Sequence, residues 1–343
     1  MPLDIMCALR EGASIMDNSL LTCPNEHCQK HEQAQGNWFI RKGTFLQKWS
    51  GKSIQRFQCK TCGTKFSIST FMDIYRQHKP YLNRQVFKWY TNSASQRQIA
   101  ENIQTTRTTV IRKFRFLADK ARRVHGVQLI TGQLNTPEVQ FDEQETFLRT
   151  KKLPLSIVIA VDGTRNRSGG KIIDIDVGTM PAKSRNARSS QEQYGYQPDD
   201  RPYICQTVLN NVKLATGNQL VFITTDAKPA YKTYIANRLP KAIHFAISNE
   251  QREWASRNQE YPLWWVNQAC AANRHDMSRM RRRTCVTTKD VHELRRHLWL
   301  YVAHRNEYEK DLLDPFFDTV KFRSIKQTVT QITNQLQQKY LTA

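Results

Sequence analysis

The chain has 343 residues, of which 39% are hydrophobic, and this length suffices for two or more domains with a sizeable core. The 52 basic residues outnumber the 30 acidic ones, and the net charge of +22 indicates contact with a polyanion. Nucleic acid is the first expectation and an anionic membrane surface the second. The chain lacks an apolar run of about 18 residues and a signal-peptide layout, so we expect a cytoplasmic protein that does not enter a membrane.

Cysteines form close pairs only in the first third of the chain. Cys23 and Cys28 lie in "TCPNEHCQKH", and Cys59 and Cys62 lie in "FQCKTCGTKF". Zinc takes four thiolates at tetrahedral corners, and two cysteine-bearing turns joined by short strands can supply them. The spacing therefore predicts a zinc ribbon with Zn2+ as a structural ion.

Other residues near the pairs offer alternatives. His27 and His31 could replace a cysteine as ligand, although solvent-exposed histidines are the simpler interpretation. A site closed by four thiolates has no open position for substrate, so the ribbon is expected to hold structure or contact DNA. The isolated Cys205, Cys270 and Cys285 are expected to be small buried hydrophobic residues.

A helix-turn-helix is predicted after the ribbon. Apolar residues recur at helical spacing in "NRQVFKWYTNSASQRQIAENIQTTRTTVIRKFRFLADKARR". Ser95 is expected to cap a helix over residues 96–103, and Thr106 or Thr108 the next, which runs to Arg123. A short helix, a tight turn and a basic second helix match a DNA-reading arrangement, although a helical hairpin with a solvated basic face is the plainer interpretation. The expected DNA-contacting residues are Arg107, Arg112, Lys113 and Arg115.

From Glu138 the pattern changes to strands. The segments "VQFDEQETFL", "LPLSIVIAVDG" and "GKIIDIDVGTMPA" predict an antiparallel meander, followed by a basic loop over residues 183–201. A helix, the strand "QLVFITTD", a second helix and the strand "KAIHFAI" come next. Three strands followed by two helix–strand pairs is the order of an RNase H-like sheet. Such a sheet brings Asp142 on its first strand close to Asp226 at the end of its fourth.

Paired aspartates suit metal-dependent phosphodiester chemistry. Two Mg2+ ions about 4 Å apart can stabilise the attacking and leaving oxygens, and Mg2+ prefers hard oxygen ligands. Successive strand residues face opposite sides, so Glu143 is not expected to share the face of Asp142. Asp162, in a "DG" turn, competes with Asp142 for the first position, whereas Asp174 and Asp176 are expected to be exposed strand residues.

Zinc ribbon, helix-turn-helix and acid-bearing sheet occur here in an order that resembles bacterial insertion-sequence transposases of the DDE type. The similarity is greatest to IS1-like and IS1595-like enzymes and extends from about Cys23 to Asn306. The most specific segment is "YPLWWVNQACAANRHDMSRMRRRTCVTTKDVHELRRHLWLYVAHRN". The ribbon and helix-turn-helix are generic by comparison.

The resemblance implies a third metal ligand on a helix, with a basic residue seven positions later. Asn267 and Arg274 have this spacing and would share one helical face. Asparagine departs from the usual glutamate, although an amide oxygen can still ligate a hard cation. Glu293 and Glu260 are the alternatives for this position, and for Asn267 a helix-end hydrogen bond is the plainer role. The arginines that follow, Arg281, Arg282 and Arg283, are expected to meet the DNA backbone.

The resemblance implies a multidomain transposase that binds double-stranded DNA at terminal inverted repeats, as a homodimer or higher oligomer. With Mg2+ or Mn2+ it would hydrolyse 3′ ends and join them to target DNA. A transposase-derived DNA-binding protein without catalysis, or a structure-selective nuclease, are the alternatives. The expected parts are an N-terminal extension (1–22), zinc ribbon (23–70), all-α helix-turn-helix (80–125), α/β RNase H-like domain (138–310) and C-terminal helical tail (311–343).

Overall fold

The computed structural model describes residues 22–32, 34, 36–166, 169–183, 186–217, 219–248, 260–281 and 286–317. The chain divides into two compact units, of which the second comprises Tyr81–Asp314 and the first comprises the remaining residues on both sides of it. The described residues include no helix with the length and apolar character needed to cross a membrane. The expected boundary near residue 80 therefore coincides with a boundary between compact units.

The first unit contains a small antiparallel sheet. A one-turn helix α1 (Gln29–Glu32) precedes the strands β1 (Phe39–Gln47), β2 (Lys52–Cys59) and β3 (Lys65–Ser67), which lie in the order β1-β2-β3. A 3-10 turn (Ile68–Phe71) follows. The Trp38 and Phe66 rings stack with centroids 5.4 Å apart. Aromatic residues of this kind make up much of the small hydrophobic core of this unit.

Three helices open the second unit: α2 (Asn83–Tyr90), α3 (Gln96–Asn102) and α4 (Arg107–Ile130). The predicted N-terminal caps are confirmed. The Ser95 side chain accepts a hydrogen bond from the Gln98 N–H, and the Thr106 side chain accepts one from the Thr109 N–H. The turn between α3 and α4 includes Gln104, whose φ of 49° is left-handed.

Helix α4 is longer than the sequence predicted. The helix was expected to end at Arg123 and give way to a linker, but it continues to Ile130. Val124 and Val127 are buried, and the His125 Nε2 lies 2.9 Å from the Ile173 carbonyl oxygen. Packing against the sheet therefore outweighs the low helix propensity of Gly126, so the helical bundle runs directly into the α/β part.

The predicted meander is confirmed. Strands β4 (Glu138–Phe147), β5 (Pro154–Asp162) and β6 (Ile172–Thr179) are consecutive and antiparallel. The segment expected to be a basic loop instead contains a helix, α5 (Asn186–Tyr194), from which Ser190 donates a hydrogen bond to the Lys152 carbonyl. This long-range contact leaves no signature in the local sequence.

Two parallel strands complete the sheet. Helix α6 (Arg201–Ala215) leads to β7 (Phe222–Asp226), and α7 (Pro229–Arg238) leads to β8 (Ile243–Ile247). The strand order is β6-β5-β4-β7-β8, in which β7 pairs parallel with both β4 and β8. A mixed α/β sheet results, with β4 at its centre. The last elements are α8 (Trp264–Asp276), a 3-10 turn (Ser278–Met280), α9 (Val291–Arg305) and α10 (Glu309–Leu313).

The two faces of β4 have different neighbours. Val139 and Phe141 belong to an apolar cluster with residues of α6 and α7, such as Val208 and Tyr231. Gln140 and Gln144, which point the other way, bond to α8. Because strand residues alternate, Asp142 shares the α8 face with these two glutamines.

Asp174 corrects one expectation about the strand acids. It was expected to be exposed but is 2% exposed, and its Oδ2 accepts a 2.7 Å hydrogen bond from Asn211. Burial raises the pKa of Asp174 to about 7, and the Asn211 hydrogen bond only partly offsets this. Asp176 is half-buried and forms an ion pair with Arg295 of α9, with 2.6 Å between Nε and Oδ1.

Two glycine-to-alanine substitutions test this arrangement. Gly126→Ala should stabilise the protein by about 1 kcal/mol, because an added Cβ meets no atom within 4 Å and alanine favours the helix interior. Gly178→Ala should destabilise it by about 1–3 kcal/mol, because its Cβ would lie 2.6 Å from the Asp200 Cβ. Urea unfolding measures both, and a destabilising Gly126→Ala would contradict the extension of α4.

Candidate functional site

The four paired cysteines converge in the first unit. Their sulfur atoms all lie within 4.8 Å of one another, with 3.4 Å between those of Cys23 and Cys62 and 3.8 Å between those of Cys28 and Cys59. Tetrahedral zinc with bonds of ~2.3 Å places its sulfur ligands about 3.8 Å apart. The cluster therefore has the donor atoms and spacing of a structural zinc site.

The surroundings affect the cysteines of the cluster in opposite directions. Hydrogen bonding to Thr64 lowers the pKa of Cys62 to about 6, whereas burial raises the pKa of Cys23. His31 Nδ1 lies 2.7 Å from the Cys23 carbonyl oxygen, and His27 is exposed. Neither histidine belongs to the cluster of metal-ligating groups in the described residues, so the four-cysteine set is the one that the geometry supports.

Asp142 and Asp226 lie on neighbouring strands of the sheet. The parallel ladder pairs Glu138 with Phe222 and Gln140 with Thr224, a constant offset of 84 positions. Extending that register by two residues places Asp142 opposite Asp226, on the same face. The paired ladder itself ends at Gln140 and Thr224, so the register fixes the shared α8 face of the two aspartates just beyond it.

Two glutamines hold α8 over this face. Gln140 accepts a 3.0 Å hydrogen bond at Oε1 from the Val266 N–H. Gln144 donates to the Cys270 carbonyl at 2.8 Å and accepts from the Asn273 side chain at 3.0 Å. Both were missed as site residues, although the alternation of polar and apolar residues in "VQFDEQ" is a signal for a polar strand face. Asp142 lies between them in the strand.

Asn267, Cys270 and Arg274 follow one another at helical spacing on α8. The thiol of Cys270 is close enough to Asp142 and Arg274 to respond to both charges. Burial and then Asp142 raise its pKa to about 12, while Arg274 opposes the increase. Because residues three and four apart share a helix face, Asn267 and Arg274 lie on the same side of α8 as Cys270. Asn267 is exposed and Arg274 is half-buried.

Glu143 occupies the opposite face, as the alternation predicts. Its carboxylate pairs with Lys228, accepts a 2.8 Å hydrogen bond from Ser156 and a 3.1 Å bond from the Tyr231 hydroxyl. Burial would raise the pKa of Glu143, but the bonds from Lys228 and Ser156 lower it below its ordinary value. The backbone N–H of Lys228 also donates to Asp226 Oδ1 at 3.3 Å, so the pair lies directly behind the sheet carboxylates.

The competing acids have other surroundings. Asp162 is buried on the α6 face, opposite Val139, and its Oδ1 accepts bonds from Thr136 at 2.9 Å and from the Thr164 hydroxyl at 2.6 Å. Those bonds are typical of a turn-stabilising aspartate. Glu293 on α9 pairs with Arg115 at 2.8 Å and Arg296 at 3.0 Å. Glu260 lines a cleft of about 280 Å³ beside Gln140 and Thr224.

The basic residues of α4 divide between its two sides. Lys113 was expected to contact DNA, but it is 4% exposed and donates a 2.9 Å hydrogen bond to Asn83 Oδ1. Burial lowers its pKa to about 8, so this expectation is wrong. Arg107 and Arg112 are exposed, and Arg115 is exposed while paired with Glu293.

The arginines after α8 also differ among themselves. Arg281 is exposed, whereas Arg282 and Arg283 lie outside the described residues, as does Cys285. Burial lowers the pKa of Arg279, which lies near Tyr90 and Glu293 rather than free in solvent. The isolated cysteines that are described, at positions 205 and 270, are buried as expected.

The comparisons add no relative to this picture. No protein-family model matches the chain, and no curated protein matches it in sequence.

Zinc binding is the first prediction from this site. Purified protein should contain about one Zn2+ per chain, and Cys28→Ser should lose it, because a tetrahedral site needs all four thiolates. Metal analysis measures the content, and Cys205→Ser, which alters a cysteine outside the cluster, is the matched control. Equal zinc in Cys28→Ser and wild type would contradict the four-cysteine site.

The two faces of β4 give a second prediction. Glu143→Gln should lower the free energy of unfolding by about 2–3 kcal/mol, because it removes a largely buried charge that pairs with Lys228 and accepts bonds from Ser156 and Tyr231. Asp142→Asn should change the free energy of unfolding by less than about 1 kcal/mol, because Asp142 is only partly buried. Urea unfolding of both variants at neutral pH measures the contrast.

The same variants should respond differently to pH. The folded-state pKa of Glu143 is depressed, so its stabilisation is present above about pH 4.5 and lost as pH falls through the lower folded value. The stability difference between wild type and Glu143→Gln should therefore shrink below about pH 4. A difference that stays constant to about pH 3 would contradict the ion pair.

Proposed function

We propose that this protein is a DNA transposase of the DDE type, related to IS1-like and IS1595-like enzymes, whose third catalytic position is Asn267. The sheet order β6-β5-β4-β7-β8 would form its RNase H-like catalytic core. The observation that supports the proposal most is the β4–β7 register, which brings Asp142 and Asp226 to one face beneath α8. That arrangement suits a metal-dependent phosphodiester site.

Within this proposal, hard oxygen atoms from Asp142, Asp226 and Asn267 would hold Mg2+ or Mn2+. Bound metal would supply charge stabilisation for the attacking and leaving oxygens of an in-line displacement. Arg274, half-buried on the same stripe of α8, would contact the phosphate adjoining the scissile one. The Glu143–Lys228 pair behind the sheet would fix the start of the loop after Asp226.

The reaction needs no covalent enzyme intermediate. Water would attack the phosphorus at the end of the element, break the P–O3′ bond and leave a 3′-hydroxyl and a 5′-phosphate. That 3′-hydroxyl would then attack a phosphodiester of the target DNA, form a new P–O3′ bond and displace a target 3′-hydroxyl. Each step exchanges one phosphoester bond for another bond to oxygen, so no energy-rich cofactor is required.

DNA recognition is assigned to the ribbon and to the outward face of α4. Arg107 and Arg112 are exposed on that helix, and the net charge of +22 favours binding to phosphates. We propose double-stranded terminal repeats as the ligand, in the cytoplasm, with at least two copies of the chain bringing two ends together. A transposase-derived DNA-binding protein is the second candidate, and the uncharged Asn267 is the observation that favours it.

Catalysis is tested by nicking of a labelled terminal-repeat duplex in Mg2+ or Mn2+. Asp142→Ala and Asp226→Ala should each lower the nicking rate at least about a hundredfold while DNA affinity stays within about twofold. Asn267→Ala should also lose most activity, whereas Asn267→Asp should retain some because it keeps an oxygen ligand. Asp162→Asn is the control if its fold is preserved, since that carboxylate lies on the opposite face.

The outcomes separate the candidates. Wild-type protein that binds the repeats but never nicks them would favour the DNA-binding derivative. Full activity in Asn267→Ala together with loss in Glu260→Ala or Glu293→Ala would move the third position to that glutamate.

DNA recognition is tested by salt dependence. Arg107→Ala with Arg112→Ala should weaken repeat binding and reduce the slope of log affinity against log salt by about two, because each arginine that binds a phosphate contributes about one unit to that slope. Lys113→Met should leave the slope unchanged, because that ammonium group is buried against Asn83. Identical slopes in wild type and the double arginine variant would exclude this face of α4.

A further inference from the structure

The first unit contains a cleft whose lining residues have no individual role in the proposed function. Its volume is about 510 Å³, and it lies between the strands β1–β3 and the segment over residues 69–77. We call this cleft the ribbon groove. A volume of this size is within the ~300–1,000 Å³ range of ligand pockets in proteins and is too small for a duplex.

Aromatic rings with free surface line the ribbon groove. The Trp49 side chain is 40% exposed and that of Tyr75 is 46% exposed, and Phe45 of β1 also lines the groove. Large aromatic residues normally bury their faces in a core of this size, as Trp38 and Phe66 do nearby. Exposed ring faces in a concave surface offer stacking platforms for flat ligands.

The charged residues that line the ribbon groove are all basic. Arg56, Lys65 and Arg76 line it, and none of its lining residues is acidic. The Arg56 guanidinium lies over the Phe45 ring, 5.1 Å from its centroid, and that of Arg76 lies 5.3 Å from the Tyr75 centroid. The two guanidinium groups are thus held beside aromatic rings of the groove.

The backbone at Arg76 has an unusual conformation. Its φ of 63° is left-handed, which costs a residue with a Cβ about 1–2 kcal/mol. Such positions occur where surrounding structure has a use for them, and here the conformation accompanies a guanidinium above the Tyr75 ring. The left-handed backbone at Arg76 therefore contributes to the shape of the groove, together with the side chains that line it.

We propose that the ribbon groove binds single-stranded nucleic acid, with unpaired bases stacked on Trp49 and Tyr75 and backbone phosphates beside Arg56, Lys65 and Arg76. Aromatic platforms combined with a positive groove are the features that proteins use for unpaired strands, because bases in a duplex are already stacked on each other. The inference goes beyond the proposed catalysis and does not require it, since the groove contains no residue of the sheet domain.

The test uses the full-length zinc-loaded protein with a fluorescent oligothymidylate and a hairpin duplex of equal charge. Trp49→Ala with Tyr75→Ala should weaken oligothymidylate binding by about fivefold or more and leave duplex binding within about twofold. Tyr203→Ala, which removes an exposed aromatic residue from α6, is the matched control and should bind both probes as wild type does. Arg56→Ser should weaken oligothymidylate binding more than Lys42→Ser, which removes an exposed cation outside the groove.

Photocrosslinking locates the bound strand independently of the variants. A 5-bromouracil oligonucleotide should form adducts with Trp49 or Tyr75 in the wild-type protein, and Trp49→Phe should retain most of the affinity because it keeps an aromatic face. Zinc content checks that each variant retains the ribbon. If the double variant loses zinc, the crosslinked residues and the Arg56→Ser comparison decide the question.

Three results would overturn the proposal. Unchanged oligothymidylate binding in the folded double variant would show that the aromatic rings do not contact the strand. An equal decrease in duplex and single-strand binding would indicate a general DNA surface. Competition by polyglutamate as effective as that by oligothymidylate would indicate attraction of any polyanion, an acidic protein segment included.

Discussion

The parallel pairing of β4 with β7 is the constraint on which the candidate site depends. Continued two residues beyond the paired ladder, its offset of 84 positions places Asp142 and Asp226, which are far apart in the chain, on the same face of the sheet. A slip of one residue would move one of them to the opposite face, where the apolar cluster of α6 and α7 lies. The burial of Val139, Phe141 and Ile223 on the apolar face therefore fixes the register. The same register determines which side chains lie on the polar face toward α8.

Alternation along β4 also explains why three adjacent polar residues have different surroundings. Asp142 stands at the α8 face, while Glu143 is satisfied by Lys228, Ser156 and Tyr231 behind it. Gln144 returns to the α8 face and binds two groups of that helix. A largely buried carboxylate whose charge is balanced by a cation and by hydrogen-bond donors, such as Glu143, contributes to structure. A partly solvated carboxylate such as Asp142 is better suited to binding a cation.

Much of this could be predicted from the sequence because local rules determine it. Ser95 caps α3 since a serine oxygen suits the first free N–H groups, and the succession of strands and helices along the chain followed from apolar runs and turns. The position of Lys113 was mispredicted although a signal existed: Val110, Lys113, Phe114 and Leu117 share the i, i+3, i+4, i+7 stripe that packs inward. The positive charge of Lys113 suggested DNA contact, but its place in this apolar stripe determines its burial.

Other features depend on contacts that are distant in sequence. The extension of α4 beyond Arg123 requires the sheet, since His125 contacts the Ile173 carbonyl and Leu129 belongs to the apolar cluster that includes β4. The role of Glu143 requires Lys228, which lies 85 positions away. The ribbon groove requires the segment after β3 to fold back over the sheet, so no local pattern around Trp49 or Tyr75 reveals it. Such features arise from tertiary packing, which short-range propensity does not encode.

Helix α9 packs against α2 and α4 on one side and against α8 on the other. Its buried His297 packs edge-on against the rings of Tyr90 and Phe114, and burial keeps the pKa of that imidazole low and the ring neutral. From the same helix, the Tyr301 hydroxyl donates a 2.7 Å hydrogen bond to the Ala269 carbonyl of α8. Both sets of contacts lie within one compact unit, without the linker that the sequence suggested.

For the proposed DNA binding on α4, this continuity would constrain how the duplex reaches the sheet. A duplex held by Arg107 and Arg112 would stand at a fixed distance and angle from Asp142, because α4, α9 and α8 are joined by buried side chains rather than by a hinge. Rigid packing of this kind transmits position without requiring a conformational switch. The distance along the DNA between the segment bound by α4 and the phosphodiester that is cut would then be set by the packing of these helices.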